Sequence, residues 1–538
     1  MSRYDALVLG AGHNGLTTAA FLARAGLSVL CLEKNDYIGG AAVSRQLYKD
    51  WTYSNCSYVC SLLRPEIYRA LDLAKHGLQV TPFGGSVTFM ENGDYFGSYH
   101  DPVVAYREMA RHSRRDADAY TRYRADTSRQ CRLIREFLLT TPPDPASWRP
   151  RDLAGLFAIG RSFAALGEEQ MLDTYRFWTL SVADYLNEYF ETDVIKAALS
   201  GSGIIGTALG IYSPGTAYVL LHHYMGDVDG NIGTWGYARG GMGAVSNALA
   251  GAFREHGGEL RTEAGIERIL TKKGKVTGVA LDSGEEIEAS TVVSAMDVKR
   301  TFLDCVEPDA LPSAFLERVR RFKSRGSSGK LNIALDGLPE FPALPKGSSL
   351  YHADMHFVDS MARMERAYDD WKDGTWSKDP YVDMVIPTLS DPTMAPPGKH
   401  FMSCFVQYCP HRLEGRDWTR AEREAFAQTV IDQIANYSPN FKDLILHVEI
   451  RTPADIEAEI GITEGNIFHG ELTMDQLLFN RPVPGYAQYR TPVTGLYLCG
   501  SSTHPGGGVM AAPGANAARE ILADLKRPNP VPESFGDD

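Results

Sequence analysis

The feature that most constrains this chain lies in residues 4–33, where a short apolar run, a glycine-rich turn, a segment of helical periodicity and a second apolar run follow one another. Gly10, Gly12 and Gly15 have GxGxxG spacing, and Glu33 stands at the end of the second apolar run. Apolar runs of this length are typical of buried parallel strands. The order therefore predicts a strand–helix–strand unit of the Rossmann type, which binds a dinucleotide.

Each residue of this motif has a physical role in binding a dinucleotide. Gly10 permits the tight turn, Gly12 leaves room for a pyrophosphate, and Gly15 allows the helix to pack closely on the strand. The helix N-terminus offers free N–H groups to the phosphates. Glu33 would accept hydrogen bonds from a ribose diol, and its charge disfavours a 2′-phosphate. FAD and NAD both use this turn and acid, so the motif alone leaves the cofactor open.

Segment 35–45, NDYIGGAAVSR, follows Glu33 directly and favours FAD. Its glycine pair, Gly39-Gly40, would let the main chain pass close to a large ligand, and Ser44 could supply a polar contact. An ordinary loop is the alternative interpretation of this segment on its own. Next to a dinucleotide fold, we expect it to contact the same ligand.

A second strand–glycine–helix pattern lies near the C-terminus, in residues 495–518. A buried strand ending in Gly500 is followed by three consecutive glycines and by a helix predicted over residues 511–522. One such unit at each end of the chain suits a single cofactor held from both sides. The glycine-rich run 240–243 also opens a helix, but it lacks the GxGxxG spacing and a preceding strand. We therefore reject a second dinucleotide site there.

Composition excludes several classes of function. At 538 residues the chain predicts two domains, and its net charge of −13 argues against nucleic acid and against a broad basic face for anionic lipid. Its eight cysteines contain no CxxC, and the adjacent His222 and His223 would diverge on a helix, so we expect no metal site. No apolar stretch is long enough to span a bilayer and no secretory leader precedes the first strand, which favours a cytoplasmic protein.

Residues 153–177 are apolar at helical spacing, with few charges in the first half. A plain core helix is the interpretation we favour. The same pattern would also suit the floor of a substrate pocket, the interface of a homodimer, or a patch that contacts a membrane peripherally.

Five motifs resemble the phytoene dehydrogenase-related (carotenoid desaturase-like) branch of the FAD-dependent amine-oxidase/desaturase superfamily. They are GAGHNG at residues 10–15, EKNDYIGGAA at 33–42, GGMGAV at 240–245, GNIFHGEL at 465–472 and YRTPVTGLYLCGSSTHPGGGV at 489–509. They lie at both ends and in the middle, so the resemblance covers essentially the whole chain. One departure is Ser501, which follows Gly500 where many FAD proteins have an aspartate that binds ribitol.

The resemblance implies an α/β fold in which a Rossmann-type, glutathione-reductase-like FAD-binding domain carries an inserted α+β substrate domain. We expect the FAD-binding domain in residues 1–75, 236–300 and 485–530, the substrate domain in 76–235 and 301–484, and a tail in 531–538. The resemblance also implies that FAD is held without a covalent bond. The implied cofactor contacts are Gly10, Gly12, His13, Asn14, Gly15, Glu33, Lys34, Gly40, Ala41, Ser44, Ile266, Gly500, Val509, Met510 and Ala511.

The implied activity forms, saturates or isomerises carbon–carbon double bonds in a hydrophobic or alicyclic substrate (carotenoid-like, ketone or acid) by hydride transfer to flavin N5. Electrons would then pass to oxygen, a quinone or another carrier. The candidate catalytic residues come from segments expected to converge on the flavin, although each could instead be structural; they are His469, Tyr489, Arg490 and His504. A flavin amine oxidase acting on C–N bonds and a non-catalytic flavin-binding protein are the alternatives.

Overall fold

The computed structural model describes residues 4–534. Its α-helices are α1 (His13–Arg24), α2 (Pro65–Ala70), α3 (Pro102–His112), α4 (Arg114–Leu138), α5 (Pro150–Ala165), α6 (Glu168–Thr179), α7 (Val182–Asn187), α8 (Asp193–Ser200), α9 (Thr216–Tyr224), α10 (Gly243–Glu255), α11 (Ser313–Arg321), α12 (Met361–Lys372), α13 (Arg420–Ala435), α14 (Pro453–Ile460) and α15 (Ala512–Asp524). Its β-strands are β1 (Ala6–Leu9), β2 (Val29–Leu32), β3 (Ser44–Tyr48), β4 (Trp51–Ser54), β5 (Val80–Pro82), β6 (Ser86–Phe89), β7 (Tyr95–Ser98), β8 (Asp227–Val228), β9 (Asn231–Ile232), β10 (Gly236–Ala238), β11 (Glu259–Arg261), β12 (Ile266–Lys272), β13 (Lys275–Leu281), β14 (Glu286–Glu288), β15 (Val292–Ser294), β16 (Ser328–Leu335), β17 (Asp354–His356), β18 (Tyr381–Val385), β19 (His400–Gln407), β20 (Ile445–Arg451) and β21 (Leu496–Leu498).

A five-stranded sheet in the order β11-β2-β1-β15-β21 carries the glycine turn. Every neighbouring pair in it is parallel. Ala6 and Val8 belong to a core that includes residues of α1, α10 and α15, while Leu7 and Leu9 belong to a second core with residues of β12 and β13. Because both faces are covered, β1 is apolar throughout. This is the Rossmann-type sheet that the sequence predicts.

A second sheet of seven strands runs in the order β20-β16-β19-β18-β17-β6-β7. The hairpin β6-β7 joins strands from residues 301–484 in this one sheet. The sheet is mixed, because β17 and β6 are parallel neighbours whereas its other neighbouring pairs are antiparallel. The predicted fold class, α/β with an inserted α+β part, is confirmed. The domain boundaries stay predictions.

The preference for a core helix over residues 153–177 is wrong. The segment forms two helices, α5 and α6, on either side of Gly167. Asp152 is the only buried residue of α5, and the flanking Trp148 and the helical Phe157 are 87% and 73% exposed. Helical periodicity shows that a helix has an apolar face, but it does not show whether another element covers that face.

The C-terminal segment is partly packed where it is described. Val531 is buried, and the carbonyl oxygen of Pro532 accepts a hydrogen bond from Arg519. The predicted tail therefore begins with attached residues, and its last part, 535–538, lies outside the described residues. None of the helices within residues 4–534 combines the length and the apolar character needed to cross a membrane.

Gly514 provides a test of how α1 and α15 pack together. A Cβ atom at Gly514 would stand 2.3 Å from the backbone oxygen of Asn14, whereas a Cβ atom at Gly160 in α5 would meet nothing within 4 Å. We expect Gly514→Ala to lower the free energy of unfolding by about 1–3 kcal/mol. The matched Gly160→Ala should leave it unchanged or raise it by about 0.5–1 kcal/mol. Chemical denaturation measures both, and equal effects would contradict the packing described.

Candidate functional site

A cavity of about 200 Å³, here called the dinucleotide cavity, lies beside the glycine turn between β1 and α1. Ten of the predicted cofactor contacts line it: Gly10, Gly12, His13, Asn14, Gly15, Glu33, Lys34, Gly40, Ala41 and Ile266. They come from separate stretches of the chain, so the fold brings them together as the Rossmann motif requires.

The glycine turn fits a ligand that approaches the backbone closely. A Cβ atom at Gly12 would meet nothing within 4 Å, so the space beside this residue is open, whereas a Cβ atom at Gly15 would stand 2.1 Å from the oxygen of Gly10. Oδ1 of Asn14 and Nδ1 of His469 are buried without a hydrogen-bond partner, and both residues line the cavity. Unsatisfied buried polar atoms of this kind are expected where a polar ligand binds.

Glu33 is buried at the edge of the cavity and is held by the backbone. Its Oε2 accepts a hydrogen bond of 2.9 Å from the N–H of Ala11, and its Oε1 accepts one of 3.1 Å from the N–H of Asn35. Burial raises the pKa of Glu33, and these two donors act against that rise. The carboxylate therefore fixes the glycine turn as well as facing the position expected for a ribose.

Two neutral histidines meet at the cavity. Nε2 of His13 lies 3.1 Å from the oxygen of Gly508, and burial together with the neighbouring His469 lowers the pKa of His13 to about 4. His469 lines the cavity, its backbone oxygen accepts a hydrogen bond from Ser502, and burial lowers the pKa of its ring. Of the predicted catalytic residues, His469 is the one that the structure brings to this cavity.

The N-terminal and C-terminal glycine segments are joined directly. Nδ2 of Asn14 donates to Oγ of Ser501 over 3.0 Å, and Oγ1 of Thr18 donates to the oxygen of Gly514 over 2.8 Å. All four residues are buried. Ser501, which stands where an aspartate was expected from other FAD proteins, therefore has a structural bond to the glycine turn and also lines the cavity.

Two predicted contacts are used by the protein itself. Oγ of Ser44 accepts a hydrogen bond of 2.9 Å from the N–H of Gly243, at the start of α10, and its contact with the cofactor stays a prediction. Gly500 does not line the dinucleotide cavity; a Cβ atom there would stand 2.5 Å from the oxygen of Ala295, so this glycine permits close approach of two chain segments.

The remaining predicted contacts lie directly before α15; they are Val509, Met510 and Ala511. Ala511 precedes this helix with a φ of 64°, and the oxygen of Met510 accepts a hydrogen bond from the N–H of Arg64. Together with Val509, they do not line the dinucleotide cavity. Their contact with the isoalloxazine ring stays a prediction.

Three of the four predicted catalytic residues have structural partners instead of a place in the cavity. The hydroxyl of Tyr489 donates to the oxygen of His504, and Nε2 of His504 lies 2.8 Å from the oxygen of Phe137. Arg490 forms ion pairs with Glu520 and Asp524 of α15. Each of these side chains is oriented toward another element of the fold, and a role for them beside the flavin stays a prediction.

The glycine run 240–243 does have a strand in front of it, contrary to our expectation, because β10 pairs with β5. However, the N–H groups at the start of α10 are occupied: Gly243 donates to Ser44, and Met242 donates to Oγ of Ser54. These bonds leave the helix N-terminus with fewer free donors for a phosphate, which supports the rejection of a second dinucleotide site.

The sequence analysis missed a set of residues on one face of the seven-stranded sheet. This face, here called the inner face, is the one opposite the apolar core with α13. Lys330, Phe405, Asp383 and His356 are register partners on four consecutive strands and form one row across the sheet. The hydroxyl of Tyr58 donates to Oδ2 of Asp383 over 2.6 Å. No local sequence pattern marks this set, because only the register of the strands makes these residues neighbours.

Burial changes the protonation of this row. It lowers the pKa of Lys330 to about 7, although Nζ donates to the oxygens of Ser54 and Cys56. Burial also raises the pKa of Asp383 above its usual value. For His356, burial lowers the pKa, but the neighbouring carboxylates outweigh it, so the net direction is upward. The row therefore contains groups that can exchange protons near neutral pH.

A second cavity, of about 230 Å³, lies over part of this sheet face and is here called the tyrosine cavity. Its aromatic lining includes Tyr120, Tyr123, Tyr224 and Tyr381, and its polar lining includes Asp354, His356 and Asp383. Helices α4 and α8 contribute to its other wall. A cavity between a sheet and helices that carries a few convergent polar groups is a typical small-molecule site.

The chain is similar to known proteins over most of its length. Residues 15–522 match the family described as flavin containing amine oxidoreductase. The chain is 37% identical to pyridine nucleotide-disulfide oxidoreductase domain-containing protein 2 of Rattus norvegicus, over 97% of this chain and 94% of that protein. It is 26% identical to a subunit of limonene dehydrogenase from Castellaniella defragrans, over 97% of this chain and 95% of that protein. Among solved structures, cyclohexylamine oxidase from Brevibacterium oxydans is similar with a TM-score of 0.57 at 17% identity, over 97% of this chain and 100% of that chain.

The family match runs from Gly15 into α15, and the relatives named above cover 97% of the chain. The predicted cofactor, FAD, is confirmed by the family and by the fold of its oxidase neighbours. The finer assignment to the phytoene dehydrogenase-related branch stays a prediction. The chain belongs to the flavin containing amine oxidoreductase family.

Proposed function

We propose that this FAD-dependent oxidoreductase forms, saturates or isomerises a carbon–carbon double bond in a hydrophobic or alicyclic substrate. The observation that carries the proposal is the similarity, over nearly the whole of both chains, to a relative named as part of a limonene dehydrogenase. The solved amine oxidase is similar at 17% identity, a level that supports the fold alone.

The chain's own residues would bind and orient the reactants. Glu33 accepts hydrogen bonds at the ribose position, and the open space beside Gly12 admits the pyrophosphate. FAD, when bound, supplies the acceptor for a hydride. The substrate would enter the tyrosine cavity, where aromatic side chains exclude water from an apolar molecule. The candidates for moving the accompanying proton are Lys330, which has a pKa of about 7 and lies in the same row as the cavity-lining Asp383, and His469, which lines the dinucleotide cavity.

One observation favours the second candidate, oxidation of a C–N bond. The tyrosine cavity combines aromatic rings with two carboxylates, Asp354 and Asp383. Aromatic faces and carboxylates both stabilise a cationic ammonium group. An amine substrate is therefore the alternative to be tested beside the apolar one.

Anaerobic reduction of the flavin distinguishes the two reactions. We expect the purified holoprotein to lose its flavin absorption when mixed with an alicyclic alkene, ketone or acid that it dehydrogenates, without release of ammonia. Bleaching by amines with release of ammonia would replace the proposal by the second candidate. NADH serves as a control, because the glycine run 240–243 is rejected as a second dinucleotide site; rapid bleaching by NADH would contradict that rejection.

Glu33 tests the cofactor site directly. Glu33→Ala removes the acceptor for the ribose and for the N–H of Ala11, and each charge-assisted hydrogen bond contributes about 1.5–3 kcal/mol. We expect at least a tenfold weaker affinity for FAD and a purified protein depleted of flavin, measured by the absorption ratio of flavin to protein. Glu267→Ala, on the exposed side of β12, is the matched control and should retain full flavin content.

We propose further that the exposed face of α5 and α6 contacts a lipid surface. Leu153 and Phe157 lie one turn apart on α5, and Leu172 and Tyr175 are exposed on α6. Exposed aromatic residues next to cations are typical of helices that lie in a membrane interface, and Arg161 follows Phe157 by one turn. An apolar substrate would partition into the same lipid, so this face would place the enzyme near its substrate.

Vesicle sedimentation tests the lipid contact. We expect the protein to bind vesicles of phosphatidylcholine, and the double variant Trp148→Ser with Phe157→Ser to bind at least fivefold less. Leu446→Ser changes an exposed apolar residue on β20 and should bind like the original protein. Unchanged binding of the double variant would refute the proposal. So would light scattering that shows a dimer converted to a monomer by the double variant, because the face would then be a homodimer interface.

A further inference from the structure

Three potential metal ligands converge on the inner face of the seven-stranded sheet. Asp354 and His356 are two residues apart on β17 and so point to the same face, and His356 is the register partner of Asp383 on β18. The intervening Met355 and Met384 point to the opposite face, into the apolar core with α13. The alternation of the strands therefore places two carboxylates and one imidazole together.

The distances among these groups are those of a metal site. Nε2 of His356 lies 3.2 Å from Oδ2 of Asp354 and 3.9 Å from Oδ1 of Asp383. One ligand atom from each residue lies within 4.8 Å of the other two. Tetrahedral zinc ligands, at bond lengths of about 2.0–2.2 Å, stand roughly 3.4 Å apart. Small side-chain rotations would bring all three atoms to this spacing.

The hydrogen-bonding state of the cluster points independently to a ligand. His356 and Asp383 are 5% and 1% exposed. Nδ1 of His356 has no partner, and Nε2 of His356 and Oδ1 of Asp383 meet only as members of the ion-paired cluster, without hydrogen-bond geometry. Buried polar groups left in this state are costly unless something binds them. The other oxygen of Asp383 accepts the hydrogen bond from Tyr58, which fixes the orientation of the carboxylate as the supporting residues of metal sites do.

We propose that Asp354, His356 and Asp383 bind a divalent first-row metal ion, with zinc as the reference ion. One imidazole nitrogen and two carboxylate oxygens are ligands that such ions accept. The cluster lines the tyrosine cavity, so the fourth coordination position faces the space where a small molecule would bind.

Zinc titration of the FAD-loaded protein tests the site. The protein is prepared without a histidine tag, treated with a chelator, dialysed, and titrated with Zn²⁺ in a calorimeter. We expect one equivalent to bind at micromolar or lower concentration. His356→Gln and Asp383→Asn should each weaken this binding at least 30-fold while flavin content is kept.

The matched control removes a histidine–carboxylate pair that is not part of a three-residue cluster. Nε2 of His411 lies 2.6 Å from Oε2 of Glu457, and His411→Gln should bind zinc like the original protein. If Asp383→Asn does not fold, Asp354→Asn, whose side chain is the most exposed of the three, gives the same test. Absence of binding, or binding that these variants leave unchanged, would overturn the proposal.

Discussion

The hydrogen bonds between the two glycine segments are the constraint on which the cofactor site depends. Asn14 and Ser501 are separated by 487 positions in the sequence, yet their side chains bond directly, and Thr18 bonds to Gly514 in the same way. Because these groups are buried, separating α1 from α15 would leave them without partners, at a cost of about 1–3 kcal/mol for each group. The turn that approaches the pyrophosphate is therefore held in position by the last helix of the chain.

The second constraint is the burial of charged groups on the inner face of the seven-stranded sheet. Its other face is an ordinary apolar core with α13, but the row from Lys330 to His356 buries charged groups beside aromatic ones. Desolvation shifts Lys330 and Asp383 toward their neutral forms, which reduces the charge that the fold must bury. Burying charged groups lowers stability unless they are paired, and this cost is one reason why we propose a chemical role for this sheet face.

Local patterns were sufficient to predict the Rossmann part of the molecule. The first apolar run of residues 4–33 forms β1, and Glu33 directly follows β2, because strand, turn and helix depend on neighbouring residues. The roles of Tyr489, Arg490 and His504 could not be predicted in this way. Their segments do approach the cofactor-binding part of the fold, but the direction of each side chain depends on distant partners such as Phe137 and α15.

The dependence on distant parts of the chain also explains why Asp354, His356 and Asp383 give no signal in the sequence. Metal motifs are usually recognised from fixed spacing on one helix or turn, where the local geometry brings the ligands together. Here the ligands lie on two strands separated by the whole of α12, and only the register of β17 against β18 makes His356 and Asp383 neighbours. A one-residue shift in the register of β17 would turn His356 into the apolar core. The packing of Met355 and Met384 in that core therefore keeps the polar cluster on the inner face.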